Sequence, residues 1–407
     1  MRDDARAKAA IEILDGFLKG RNLNNILETW NKNNKFAGSS DREKIRDIVF
    51  DVLRLRNTLK YPFELENIYE SGRSLIFSYI LYTSKKIEEI FTGNKYGPSR
   101  LDIQEENILE KFIMNKGKFF IIKDNVPDFL IEDLKLSLAE KFETIMGVLD
   151  KRSPISIRAN LNKTDLFYVK ETLKNEGIDS ELSLSSVQGL RILNNFRRVK
   201  MSQSFQEGLF EFQDLNSQKV IEECDFRNYK KFLDFCSGAG GKILCLASLQ
   251  KGRGSFFAYD KDKIKLEKLR IRAKRAGVDV GIIEKKEIDK YYKFFDCIVL
   301  DVPCSGSGAW SRNPQQKWRI TPRQIEELIM LQSNLLKQAK NLLKDNGKLI
   351  YITCSLLRSE NQSIIENFIL NNPRFSIVRQ KNYYPSEIGD GFYCAELLKN
   401  KQFCNDF

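Results

Sequence analysis

Two thiols and a carboxylate stand where two apolar runs end. Phe294-Phe295-Asp296-Cys297-Ile298-Val299-Leu300 has the length and character of a buried strand, and it stops at Asp301-Val302-Pro303-Cys304-Ser305-Gly306-Ser307-Gly308. A second run, Lys348-Leu349-Ile350-Tyr351-Ile352-Thr353, follows the turn signal Asp345-Asn346-Gly347 and ends in Cys354-Ser355. A single buried cysteine acts as a small apolar residue. Two of them at strand ends, one beside an acid, point instead to nucleophilic chemistry, because ligands of an open parallel sheet bind at the carboxyl ends of its strands.

A third unit supplies a cofactor site. The strand-like Phe232-Leu233-Asp234-Phe235 leads into Cys236, Ser237, Gly238, Ala239, Gly240, Gly241 and Lys242, and then into a helical segment from Ile243 to Leu249. Shortly after comes Phe256-Phe257-Ala258-Tyr259-Asp260, a strand ending in an acid at the spacing that sets a carboxylate on a ribose hydroxyl pair. Either feature alone is common in nucleotide-binding folds. Together they fit an adenosine-bearing cofactor.

Composition narrows the chemistry. The 407 residues contain no histidine, which excludes every Ser-His-Asp, Cys-His or His-ligated scheme. Eight cysteines, at 224, 236, 245, 297, 304, 354, 394 and 404, show no CxxC pair, so no metal is expected and the thiols read as reduced, cytoplasmic ones. A net charge of +12, from 67 basic and 55 acidic residues, suits a polyanionic partner. The amino terminus lacks the apolar core of a signal peptide and no run reaches membrane-spanning length, so a soluble protein off the membrane is expected.

The three strand-loop units resemble the cofactor, proline-cysteine and threonine-cysteine-serine motifs of the RNA cytosine-5 methyltransferases. The tract Asn313, Lys317-Trp318-Arg319, Thr321-Pro322 and the segment Ile388-Gly389-Asp390-Gly391-Phe392-Tyr393 are similar to that family as well. The resemblance covers nearly the whole chain and is closest to the bacterial ribosomal RNA enzymes with a NusB-like first domain. It implies an α/β fold, with a Rossmann-like S-adenosylmethionine-dependent domain preceded by an all-α domain and a small α+β RNA-binding subdomain. It also implies that Cys354 is the nucleophile and that Cys304 helps resolve the adduct, a ranking that the residues alone leave open. Asp301 would hydrogen-bond the cytosine ring, and Lys242 would stabilise charge there or lower a thiol pKa. Backbone from Cys236 to Lys242, with Asp260 and Asp301, would hold S-adenosylmethionine, and Glu284 or Glu287 would face the adenine. The family's usual Ala-Ala-Pro-Gly-Gly loop here reads Ser237-Gly238-Ala239-Gly240-Gly241, and the missing proline should loosen it. RNA contacts carried over from the family are Arg158, Asn160, Arg312, Asn313 and Lys317. Trp310, Trp318 and Phe392 offer stacking surface or simply core.

In chain order, residues 1–140 read as a helical bundle. Ser39-Ser40-Asp41 offers a cap to a helix with the buried stripe Ile45, Ile48, Val49, Val52 and Leu53. Residues 141–205 change to an alternating strand, helix and strand texture with Arg191, Arg197, Arg198 and Lys200 suited to phosphates, and 206–407 form the catalytic domain. The expected substrate is small-subunit ribosomal RNA, with transfer RNA as the alternative and a non-catalytic ribosome-assembly factor as the reading from another class. Nothing in the sequence requires more than a monomer.

Overall fold

The computed structural model describes residues 1–115, 120 and 123–401. Two compact units divide the chain. The first comprises Met1–Ile131, Leu149–Arg152 and Trp310–Arg319; the second comprises Glu132–Val148, Ser153–Ala309 and Ile320–Phe407. The division therefore does not follow the three consecutive stretches read from the sequence, because Glu132–Val148 joins the second unit and the tract Trp310–Arg319 joins the first.

The first unit is all helical. Asp3–Leu18 opens with two acids in its first turn, complementing the helix dipole, and buries Ala7, Ala10, Ile13, Leu14 and Phe17 at three- and four-residue spacing. Ser39–Arg54 buries Ile45, Val49, Val52 and Leu53 as the periodicity requires, while Ile48 is only partly covered. Its serines do not cap it. The helix begins one residue early with Gly38 at the cap position, and Asp41 instead pairs with Arg6 at 2.8 Å. Trp318 packs on this core, donates its indole N–H to Leu53 O at 2.6 Å and lies under the Arg56 guanidinium.

The second unit holds two sheets. The smaller one has the order β2-β3-β1-β4 and is antiparallel throughout, from β1 (Ser156–Ala159), β2 (Ser180–Leu182), β3 (Gly189–Ile192) and β4 (Phe210–Phe212). The second strand of the texture read over residues 141–205 is a hairpin, broken where Ser183 and Ser185 bond to each other across a serine-rich turn.

The larger sheet has the order β10-β11-β9-β8-β5-β6-β7. Its parallel strands are β5 (Lys231–Asp234), β6 (Ser255–Ala258), β7 (Val280–Ile282), β8 (Phe295–Asp301) and β9 (Leu343–Thr353). An antiparallel β11 (Phe392–Lys399) and the edge strand β10 (Phe375–Tyr383) complete it. Strands covered on both faces read as unbroken apolar runs, and Cys297, Ile298, Val299 and Leu300 of β8 are fully buried. The chain runs β5 to β6 to β7 outward on one side, then returns to β8 on the other. The crevice at that reversal, outside the carboxyl ends of β5 and β8, is where such a fold binds its ligands.

Candidate functional site

Every candidate catalytic group sits at that edge. Asp301 is the last residue of β8, Cys354 follows β9, and Lys242 lies in the first turn of the helix Gly241–Leu249 that follows β5. Of the seven described cysteines, Cys224, Cys245, Cys297 and Cys394 are buried, whereas Cys236, Cys304 and Cys354 are partly exposed. The sheet therefore separates thiols that fill space from thiols at the ligand edge.

Cys304 Sγ and Cys354 Sγ lie 3.5 Å apart. That contact bears on the Cys304 thiol. The hydrogen bond to Cys354, then burial, then the charges of Cys354 and Glu360 push the Cys304 thiol well above its ordinary value. Cys304 is thus held in its thiol form.

Lys242 is 5% exposed and donates to Asp301 Oδ2 at 3.0 Å and to Ser217 Oγ at 2.8 Å. Burial pulls its pKa down, but the charge and hydrogen bond of Asp301, with Cys354 and Asp234, more than offset this and leave it raised. The ammonium sits over the Phe392 ring at 4.9 Å, so Phe392, 8% exposed, supports the lysine rather than presenting a free stacking face. Ser217 is in turn reached by Gln213 Nε2 at 3.2 Å.

The glycine loop is held by hydrogen bonds where a proline would have held it covalently. Gly238 N donates to Asp260 Oδ2 at 2.8 Å, Gly240 N closes a turn on Ser237 O at 2.8 Å, and Arg272 donates to Ala239 O at 2.6 Å. Gly240 adopts φ +87, where a side chain would also strike Leu269, so glycine is required at this position. A side chain at Gly238 or Gly241, by contrast, would meet nothing within 4 Å. Two buried oxygens beside this open space, Asp234 Oδ1 and Ser237 Oγ, have no hydrogen-bond partner. Burial and the neighbouring Asp301 push Asp234 up to about 8. Unmet buried acceptors next to an open glycine loop fit the polar amino-acid end of S-adenosylmethionine. Burial also raises the Cys236 thiol, so in this loop it lines rather than reacts.

Beyond β6 and β7, Tyr259, Asp260, Lys261, Ile283, Glu284 and Lys285 are among the residues that line a cavity of about 490 Å³. Glu284 faces this space, whereas Glu287 lies outside it and pairs with Lys290.

The expected RNA contacts fare differently. Arg158 is 2% exposed and binds Gln213 Oε1 at 2.6 Å and Leu244 O at 3.1 Å. Asn160, 3% exposed, donates to Gly208 O and Ala276 O. Both join the small sheet to the catalytic sheet's helices and present no polar group to a phosphate. Lys317, 1% exposed, donates to Arg54 O in the helical unit, where burial lowers its pKa to about 8 despite Asp150. These three are structural. Basic residues inside an otherwise apolar interior look, in sequence, like any surface charge. Arg312 and Asn313 are half-buried in the same tract of the helical unit, and Trp310 is fully buried there.

Three groups of the site were not singled out as functional from the sequence: Asp234, Ser217 and Glu360. Asp234 carried a visible signal, an acid ending an apolar strand just before a glycine loop. Glu360 carried none, since its polar neighbours Arg358, Ser359, Asn361 and Gln362 resemble a solvated turn.

The chain is similar in sequence and fold to known proteins. Residues 224–398 match the family model described as 16S rRNA methyltransferase RsmB/F. A probable ribosomal RNA small subunit methyltransferase B from Synechocystis is 28% identical over 70% of this chain and 64% of its own length, so the chain spans a little under two thirds of that relative. The ribosomal RNA small subunit methyltransferase B of Yersinia pestis is 25% identical over 97% of both chains. The crystal structure of PH0851 shares the fold, with a TM-score of 0.73 over 98% of this chain and 99% of that one at 23% identity.

Proposed function

We propose, from the match of residues 224–398 to the RsmB/F methyltransferase family model, that the protein belongs to that family and methylates carbon 5 of a cytosine in RNA. Small-subunit ribosomal RNA is the substrate favoured by the names of its relatives. The observation that carries the reading is the pair of thiols 3.5 Å apart beside the Lys242–Asp301 pair. Methylation at an amino nitrogen, or on a ribose, has no use for two thiols.

Cytosine carbon 5 is a weak nucleophile, and covalent catalysis solves this. The Cys354 thiolate adds at carbon 6, and the ring's electron pair moves to make carbon 5 an enamine carbon. Asp301, held by Lys242, is assigned to hydrogen-bond the ring nitrogen or the exocyclic amine and so stabilise the form that accepts attack. S-adenosylmethionine, which backbone from Cys236 to Lys242 would hold, would supply the electrophilic methyl group, its sulfonium leaving as the neutral thioether of S-adenosylhomocysteine. Once the Cys304 proton has passed to solvent, the Cys304 thiolate takes the proton from carbon 5, the electrons of that C–H bond restore the carbon 5–carbon 6 double bond, and the carbon 6–sulfur bond breaks to release Cys354 as thiolate. Cys304, the nearest thiol, is assigned to that second half. Backbone from Cys236 to Lys242, Asp260 at the ribose and Glu284 at the adenine are assigned to the cofactor. A base inside a folded RNA must be unstacked to reach this edge, at a cost of a few kcal/mol that is smallest in loops.

The test is methyl transfer from labelled S-adenosylmethionine to unmodified small-subunit ribosomal RNA and to transfer RNA, followed by digestion to nucleosides. Label in 5-methylcytidine from the ribosomal substrate supports the reading. Label in any other nucleoside overturns it.

A further inference from the structure

Beneath the two thiols lies a buried carboxylate that the mechanism above leaves without a task. Glu360 is 0% exposed, and four neutral donors converge on it. Oε1 accepts from Ser305 N at 2.9 Å and Gln332 Nε2 at 3.0 Å; Oε2 accepts from Ser305 Oγ at 2.6 Å and Ser355 Oγ at 2.5 Å. Ser305 follows Cys304 and Ser355 follows Cys354. Gln332 also donates to Pro303 O at 3.0 Å, so the residue before Cys304 is tied to the same group. The next residue, Asn361, grips the other strand end, accepting from Thr353 Oγ1 at 2.6 Å and donating to Ser355 O at 2.9 Å. The Tyr351 hydroxyl fixes the backbone of Glu360 itself at 2.7 Å.

Burying a carboxylate is costly, and stability alone is served as well by neutral groups of the same shape. What the carboxylate offers that an amide does not is acceptance at both oxygens. A glutamine here would turn an N–H towards serine donors that already point at it. The arrangement therefore makes one side chain the common fixed point of the loops carrying both cysteines.

We propose that Glu360 is a positioning residue for the two-thiol reaction: its carboxylate locks the Cys304 and Cys354 loops to each other and so sets their separation and their order of use. This rests on the cytosine-5 reading. The charge of Glu360 acts in the same direction as the geometry, since it is one of the groups that keeps Cys304 protonated.

The experiment compares the full chain as wild type, Glu360→Gln, Ser305→Ala and the double variant. The two measurements are steady-state methyl transfer and, without RNA, the rate at which dibromobimane bridges Cys304 and Cys354, with Cys304→Ser as the unbridged control. The expected result is that Glu360→Gln lowers kcat by about 100-fold and slows bridging, with the KM for S-adenosylmethionine within about twofold of wild type. Ser305→Ala lowers kcat by about tenfold, and the double variant is no worse than Glu360→Gln, as expected of groups acting as one unit. Should Glu360→Gln fail to fold, Ser305→Ala and Ser355→Ala carry the test through the same two readouts. Unchanged kcat and bridging in the folded variants, or losses that multiply in the double variant, overturn the proposal. A wild-type protein that bridges rapidly yet never methylates cytosine overturns the cytosine-5 reading instead, so the two failures are distinguishable.

Discussion

Replacing Lys242 by methionine removes one charge and keeps the stem. The ammonium lies 3.0 Å from Asp301 Oδ2, with the lysine side chain 6% exposed and that of Asp301 32% exposed. At an effective dielectric of about 20, two charges at that distance attract by roughly 5 kcal/mol. Desolvation of the lysine and solvent screening of the aspartate offset about half, so Lys242→Met should cost the catalytic unit about 2–3 kcal/mol, chiefly by stranding Asp301 next to Asp234. Tryptophan fluorescence is the wrong probe, since Trp30, Trp310 and Trp318 all belong to the helical unit. Amide hydrogen exchange in β5 and β8 is the right one, and protection there should fall by about 30- to 150-fold. The double variant Lys242→Met/Asp301→Asn should recover more than half of the loss. Because the folded pKa of Lys242 is raised, the pair's contribution is full below the ordinary lysine value of 10.5 and is lost only as pH rises through the raised one. The difference between wild type and variant should therefore hold constant from pH 6 to about 7, below the ionisation of Asp234, which Lys242 also influences. A cost below about 0.5 kcal/mol, or a double variant that loses the sum of both singles, would refute the ion-pair account.

Two further outcomes follow from buried groups. Asp234, raised to about 8, holds a proton in the folded chain that the unfolded chain releases above 3.8. Its ionisation penalty therefore grows as pH rises between those values, and Asp234→Asn should stabilise the protein more at pH 8.5 than at pH 5, measured as the shift in Tm at each pH. Arg158→Ala should lower stability by about 3 kcal/mol in denaturant unfolding, because it orphans buried acceptors, while the salt dependence of RNA binding stays at the wild-type slope. A shallower slope with unchanged stability would return Arg158 to the RNA.

The chemistry-bearing strand ends were legible because a buried parallel strand must be apolar along its length, so Asp301, Cys304 and Cys354 stand out as the first polar or reactive groups after long runs. The glycine loop was legible for the same reason, together with Gly240, whose conformation no other residue adopts cheaply. Burial of long basic side chains was not. Arg158 and Lys317 sit inside because neighbouring carbonyls accept from them, and carbonyl positions are a product of the fold that no residue pattern announces. The helical unit shows the same limit at Ser39 and Ser40, where Asp41 is drawn to Arg6, a residue 35 positions away. Glu360 is the sharpest case: a glutamate in a polar stretch is the cue for solvent, and only the meeting of β8 and β9 loops turns it inward.

The account turns on which thiol attacks. The most direct measurement is a denaturing gel of protein and radiolabelled unmodified ribosomal RNA with S-adenosylmethionine, comparing wild type, Cys354→Ala and Cys304→Ala. Loss of both transfer and adduct in Cys354→Ala, with accumulation of a methylated protein–RNA adduct in Cys304→Ala, is the predicted result. Adduct and transfer that survive in Cys354→Ala, or an adduct that needs Cys304 to form, would contradict it.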